Sequence, residues 1–112
     1  MPRRKNMLRV KTPQDAQQVL RPLENPSKFF NTCDGRELRS LQDLSNAIGE
    51  MDPGAFGHHV NNGSNHFAEW VSSVFSDKKL AREMREIHNQ RLSKALVDYR
   101  LTWLDVKANE QI

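Results

Sequence analysis

Apolar residues recur at intervals of three and four along most of the chain, and this spacing predicts helices. Leu41, Leu44, Ala47, Ile48 and Met51 give one apolar face to "LQDLSNAIGEM". Ser40 is placed to cap that helix, with Asp43 three residues on as a short form of the capping box. Asp52-Pro53 signals a new start, with Asp as N-cap and Pro at the first helical position. A short helix through Phe56 and Val60 follows, weakened by Gly54 and Gly57. "NNGSN" reads as a loop, after which Asn65 or Ser64 caps a helix carrying Phe67, Trp70, Val71 and Val74. Ser76 or Asp77 caps the next, with Leu80, Ala81, Met84 and Ile87 on its face. The last helix, about Gln90 to Lys107, places Leu92, Ala95, Leu96, Tyr99, Trp103 and Val106 on one stripe, which Val97, Leu101 and Leu104 widen. So wide a stripe implies contact with more than one neighbour, or with a second chain.

Before these helices the pattern changes. Phe29, Phe30 and Thr32 suit an extended strand and Asp34-Gly35 a tight turn, which predicts a small hairpin or a single strand and turn. Further upstream Pro2, Pro13, Pro22 and Pro26 interrupt any long helix. Only "PQDAQQVL" suits a short one, with Val19, Leu20 and Leu23 available to dock it. The expected fold is mainly α: a compact bundle of about five helices preceded by a short strand or hairpin. Residues 1–27 form a basic, Pro-interrupted arm, residues 28–108 the helical domain and residues 109–112 a tail.

The 112 residues leave room for one domain with a modest core. With 37% hydrophobic and 28% charged residues the chain is polar, yet not of disordered composition. No apolar run approaches the ~18 residues that a membrane span needs, and no apolar segment follows the basic N-terminus as in a secretory signal. The single Cys33 excludes a disulfide-stapled scaffold but says little about compartment, and a soluble cytoplasmic protein is the default expectation. The net charge of +3 is unevenly placed. Residues 1–11 hold Arg3, Arg4, Lys5, Arg9 and Lys11 and no acid, while the remainder carries 12 basic and 14 acidic residues. The five basic side chains are candidate phosphate contacts.

Chemistry, if present, would centre on His58, His59 and His66, packed into nine residues. A structural zinc wants four Cys or His ligands and a catalytic zinc three. Neighbouring His58 and His59 would diverge by about 100° on a helix. His66 follows the loop, and Cys33 is far upstream. The spacing therefore predicts no metal and no other cofactor, with His59 hydrogen-bonded between helices and His58 and His66 exposed. For nucleophilic catalysis, Ser40, Ser72, Ser73 and Cys33 sit in no recognisable motif, and the glycines form no phosphate-binding spacing. Most aromatics fall on apolar faces and do not interleave with Lys and Arg as in a single-strand-binding platform. Trp103, with Leu101 and Leu104, is the candidate partner contact.

The order "FF", "DGREL", "SLQDL", "FGHHV", "NHFAEW", "DKKLA", from Phe29 to Ala81, resembles an uncharacterised family of short prokaryotic domains of unknown function. That family's pattern is an aromatic strand, Asp-Gly, Ser-Leu-x-x-Leu, Phe-x-x-His-Val, Asn-x-Phe-x-x-Trp and Asp-x-x-Leu-Ala. The resemblance implies the helical fold and no established activity. It places only His59 on the family's histidine. His58 stands where an aromatic is usual, and His66 where an acid is expected.

The functional expectation is a non-enzymatic interaction module that binds a protein partner or itself, with no membrane role. An accessory nucleic-acid-binding protein using the basic arm is the alternative, and a small enzyme using His59 a weaker one. His59, Asn65 and Trp70 are the body residues singled out as structural or functional.

Overall fold

The structure is a computed structural model that describes residues 10–110. Among them are six α-helices and two short antiparallel hairpins: α1 (Pro13–Leu20), β1 (Phe30–Asn31), β2 (Glu37–Leu38), α2 (Leu41–Glu50), α3 (Pro53–His59), β3 (Val60–Asn61), β4 (Ser64–Asn65), α4 (His66–Trp70), α5 (Lys78–Arg85) and α6 (Gln90–Ala108). The fold is the mainly α bundle that the periodicity predicts. None of these helices is long and apolar enough to cross a membrane.

Helix α6 is the spine. Both α1 and α2 pack along it, and α5 touches it. The core between them contains Leu41, Leu44, Ile48, Phe67, Leu80, Met84, Val97 and Leu104, all without meaningful exposure. Polar side chains close the helix ends. The Gln90 amide donates to the carbonyls of Ile48 and Met51, both at 2.8 Å, so the start of α6 satisfies orphan groups at the end of α2. Gln17 does the same for Ala108, at 3.0 Å, from α1. Ala16 and Val19 are buried, and Leu23 N–H donates to the Arg39 carbonyl. Part of the segment read as an arm over 1–27 is thus a docked helix.

Most helix starts follow the local signals. Ser40 Oγ accepts from Asp43 N–H at 3.1 Å, while the Asp43 carboxylate accepts from Arg39 N–H at 2.9 Å. Asp77 caps α5 and Asn65 caps α4. Asp52 occupies the N-cap position of α3 but makes no capping bond there. The first hairpin turns at Gly35, whose φ of 90° lies where a side chain is disfavoured.

Two elements depart from expectation. The "NNGSN" segment is not simply a loop: Val60 pairs with Asn65 and Asn61 with Ser64. Helix α4 does not end at Trp70 but widens into a π-helical turn over Val71–Phe75. That turn stops at Ser76, which stands in the left-handed region at φ 59°.

The orientation of α6 also needs correction. Its core-facing residues are Ser93, Val97, Arg100, Leu104 and Ala108, two of them polar. The stripe of Leu92, Ala95, Tyr99, Trp103 and Val106 faces outward. Leu104, expected as a partner contact, is fully buried, and Leu101 is half-buried against the core. Only Trp103 of that trio stands at the surface. Apolar residues cover more than half the circumference of α6, so periodicity marks a broad face without saying which part is inside.

Candidate functional sites: the histidine cluster and the outer face of the last helix

The second hairpin brings the histidines together. His59 is the last residue of α3 and His66 the first of α4. Because Val60 pairs with Asn65 between them, the chain folds back and sets the two rings side by side. Their Nδ1 atoms are 3.1 Å apart. His58 joins them, its ring centroid 4.9 Å from that of His59 and 6.1 Å from that of His66. His59 is buried, His58 and His66 are exposed, as the packing reading of the sequence has it. Phe30 and Phe67 flank His59 at centroid distances of 5.2 and 5.0 Å.

Hydrogen bonding assigns the tautomers. Cys33 N–H donates to His59 Nε2 at 3.0 Å, so that nitrogen carries no proton. In neutral His59 the proton is therefore on Nδ1, where it is donated to His66 Nδ1. Both nitrogens of His59 are engaged. A histidine that ligates a metal through Nδ1 presents Nε2–H to an acceptor. Here Nε2 faces a donor, so the pair is a hydrogen bond rather than half of a coordination shell. Among the described residues no group of three or more His, Cys, Asp or Glu is placed to hold a metal ion. Burial holds His59 below the ordinary imidazole value of 6.5, and His58 and His66 push the same way against the pull of Asp34. A general base needs a nitrogen open to substrate, which His59 does not offer.

The other two residues singled out in the body have packing roles. Asn65 Oδ1 accepts from Ala68 N–H at 2.9 Å while its amide donates to the Met84 carbonyl at 3.1 Å, joining the start of α4 to α5. Trp70 is buried against Phe30 and Phe75, and its indole N–H donates to the Lys28 carbonyl at 2.8 Å.

One polar constellation was not foreseen. Ser45 on α2 hydrogen-bonds Asp98, and Lys94 reaches both, at 3.1 Å from Ser45 Oγ and 2.8 Å from the carboxylate. It has the parts of a nucleophile, a base and an orienting group. Ser45 is completely buried, however, so no substrate reaches its hydroxyl. The cluster clips α2 to α6. Lys94 and Asp98 are an i,i+4 pair, but Ser45 lies 49 and 53 positions from them, too far for any local motif to reveal the cluster.

A groove of about 570 Å³ runs between the end of α1 and the π-helical turn, lined by Val19, Leu23, Val74 and Phe75 together with Asp15 and Glu24. The Asp15 carboxylate is occupied by the backbone N–H groups of Lys11 and Thr12, whose hydrogen bonds help hold it below the usual carboxylate range. The groove offers apolar surface but no converging reactive groups.

The outer face of α6 stands apart. Among the described residues, Leu92, Tyr99, Trp103 and Val106 are the exposed large hydrophobic ones, at 57%, 73%, 38% and 62% of full exposure, and all four lie on this one face. Trp103 is held in place by Arg100, whose guanidinium carbon lies 4.6 Å from the ring centroid. Of the candidate phosphate contacts, Lys11 is exposed. Arg3, Arg4, Lys5 and Arg9 lie outside the described residues. The chain matches no family model, no curated protein and no solved structure.

Proposed function

We propose that this protein is a small helical docking module that binds another protein chain through the outer face of α6. The observation that carries the reading is the segregation of Leu92, Tyr99, Trp103 and Val106 to one exposed helix face. Single exposed apolar residues are ordinary, but a contiguous group of them marks an interaction surface. Trp and Tyr are enriched among residues that dominate binding energy, and Arg100 already restricts the Trp103 ring. The histidine cluster, with both ring nitrogens of His59 engaged, serves packing in this reading. The lone exposed thiol of Cys33 suits a reducing compartment such as the cytoplasm.

A photo-reactive residue placed at Tyr99 tests the proposal in the cells that make the protein. A discrete adduct is expected from that position and none from Arg21, an exposed residue outside α6. Absence of any adduct from Tyr99 overturns the docking role. A second reading, phosphate binding by the basic arm, rests on the five basic residues and no acid in residues 1–11. Removing residues 1–11 should then abolish salt-sensitive binding to double-stranded DNA. For the intact chain, the slope of log affinity against log salt should not exceed roughly 4 to 5 in magnitude. A deletion that binds equally well removes that reading.

A further inference from the structure

Two glycines of the chain follow an acid or its amide, Asp34-Gly35 and Asn62-Gly63, and each pair sits in the turn of a hairpin. The backbone nitrogen after an Asn or Asp is a latent nucleophile, one five-membered ring away from the side-chain carbonyl carbon. Glycine favours closure of that ring, because no side chain shields its nitrogen and its backbone rotates freely. Asn is the more reactive of the two, since a neutral amide accepts a nucleophile that an ionised carboxylate repels.

The first turn is closed to this reaction. The Asp34 carboxylate accepts from the Thr32 hydroxyl and from Arg36 Nε, and these bonds hold it below the ordinary carboxylate value and so ionised. Gly35 N–H donates to the Thr32 carbonyl at 3.1 Å. The second turn is open. Asn62 and Gly63 are both exposed, and the Asn62 side chain has no hydrogen-bond partner among the described residues. One contact restrains it: Gly63 N–H donates to Asn61 Oδ1 at 3.0 Å, which occupies the nitrogen that would attack.

We propose that Asn62 is a site of spontaneous deamidation, that Asn61 slows the reaction, and that the product separates the histidine pair. The Gly63 nitrogen gives its proton to solvent base and bonds to Asn62 Cγ. The bond from Cγ to the side-chain nitrogen breaks, and that nitrogen leaves as ammonia with a proton from solvent. Water then opens the succinimide. Opening at Cγ yields Asp, and opening at the main-chain carbonyl yields isoaspartate. The net exchange is water in and ammonia out, with no oxidant or reductant.

The isoaspartate product routes the main chain through the side chain and adds one backbone atom to a two-residue turn. The ladder it closes has only two pairs, Val60 with Asn65 and Asn61 with Ser64. His59 directly precedes that ladder and His66 directly follows it. A lengthened turn shifts the pairing and with it the contact between their Nδ1 atoms.

The full chain is aged in warm, mildly alkaline buffer and mapped by peptide mass spectrometry. Asn62 should gain the mass difference between hydroxyl and amide, as Asp and isoaspartate, while Asp34 stays unchanged. Asn61→Ala should convert several-fold faster, and Gly63→Ala several-fold slower. Alanine fits at Gly63: its φ is not in the left-handed region, and an added Cβ meets only Asn61 Oδ1, at 3.8 Å. The isoaspartate fraction should melt below the parent and change the His59 and His66 ring signals in NMR. Fresh Asn62→Asp carries the same charge on an ordinary main chain and should melt with the parent. Asn62 intact in the aged parent, Asn61→Ala converting no faster, or an isoaspartate fraction with the parent's melt and ring signals each overturns the proposal.

Discussion

Arg100 and Asp77 form a two-pronged ion pair inside the protein, Nε to Oδ2 at 2.9 Å and Nη2 to Oδ1 at 3.1 Å. Both side chains are almost without exposure. The pair joins three tasks. Asp77 also accepts from Leu80 N–H and so starts α5. The guanidinium ties α6 to that helix end. Its flat face then covers one side of Trp103. The ion pair thus links the core to the outer face of α6.

A buried charge left without its partner is the costly outcome. Arg100→Met is expected to lose ~3–5 kcal/mol, because Asp77 stays buried and unpaired. Asp77→Asn keeps an acceptor for the Leu80 N–H but strands the guanidinium, with a similar loss. The double variant should be more stable than the sum of the two losses implies. A double-mutant cycle by urea denaturation measures this. Additive losses would mean the two residues act separately.

The histidine cluster should give the protein an acid-side weakness. His59 has a folded value below 6.5, so the unfolded chain takes up its proton first as pH falls. Its contribution is complete above pH 6.5 and declines as pH drops from there through the lower folded value. Protonated His59 would turn Nε2 into a donor facing the Cys33 N–H. The slope from one such group is at most ~1.4 kcal/mol per pH unit. Stability measured between pH 7.5 and 5 should fall less in His59→Gln than in the parent. Asp15, Asp34 and Asp98, all held below the ordinary value of 3.8, act at lower pH and do not confuse this window. Equal slopes in the two proteins would remove His59 as the cause.

What could be read in the sequence was what depends on neighbours in sequence. Ser40, Asn65 and Asp77 announce helix starts because each cap closes within three residues. Asp34-Gly35 announces its turn for the same reason. The meeting of His59 with His66 was not legible, since it depends on the Val60–Asn65 pairing within a segment that reads as loop. The side of α6 that faces inward was not legible either. Its core face includes Ser93 and Arg100, which look like surface residues until Asp77 is seen beside the arginine. Its outer face is as apolar as a core.

Two residues taken as structural or functional should prove structural by stability. Trp70→Ala removes a buried ring packed on Phe30 and Phe75, together with the hydrogen bond to the Lys28 carbonyl. A loss of ~3–5 kcal/mol is expected, a large part of the stability of a domain this small. Asn65→Asp keeps the acceptor for Ala68 N–H and loses the donor to the Met84 carbonyl, whereas Asn65→Ala loses both. The order of melting temperatures should be parent, then Asp, then Ala, with the cap itself worth ~1 kcal/mol. An alanine variant as stable as the parent would show that Asn65 is not the joint between α4 and α5.

The sharpest check of the fold is a contrast between neighbours on α6. Leu104 and Tyr99 both belong to the broad apolar pattern of this helix, and the sequence does not rank them. Leu104 is fully buried, while Tyr99 is 73% exposed. Leu104→Ala should cost ~2–5 kcal/mol, from lost apolar contact and the cavity left behind. Tyr99→Ser should change stability by no more than ~0.5 kcal/mol. Chemical denaturation of the isolated chain makes the comparison. If Tyr99→Ser instead destabilises the chain as much as Leu104→Ala does, then α6 is rotated from the position described. The outward apolar face, and the docking role built on it, would fall together.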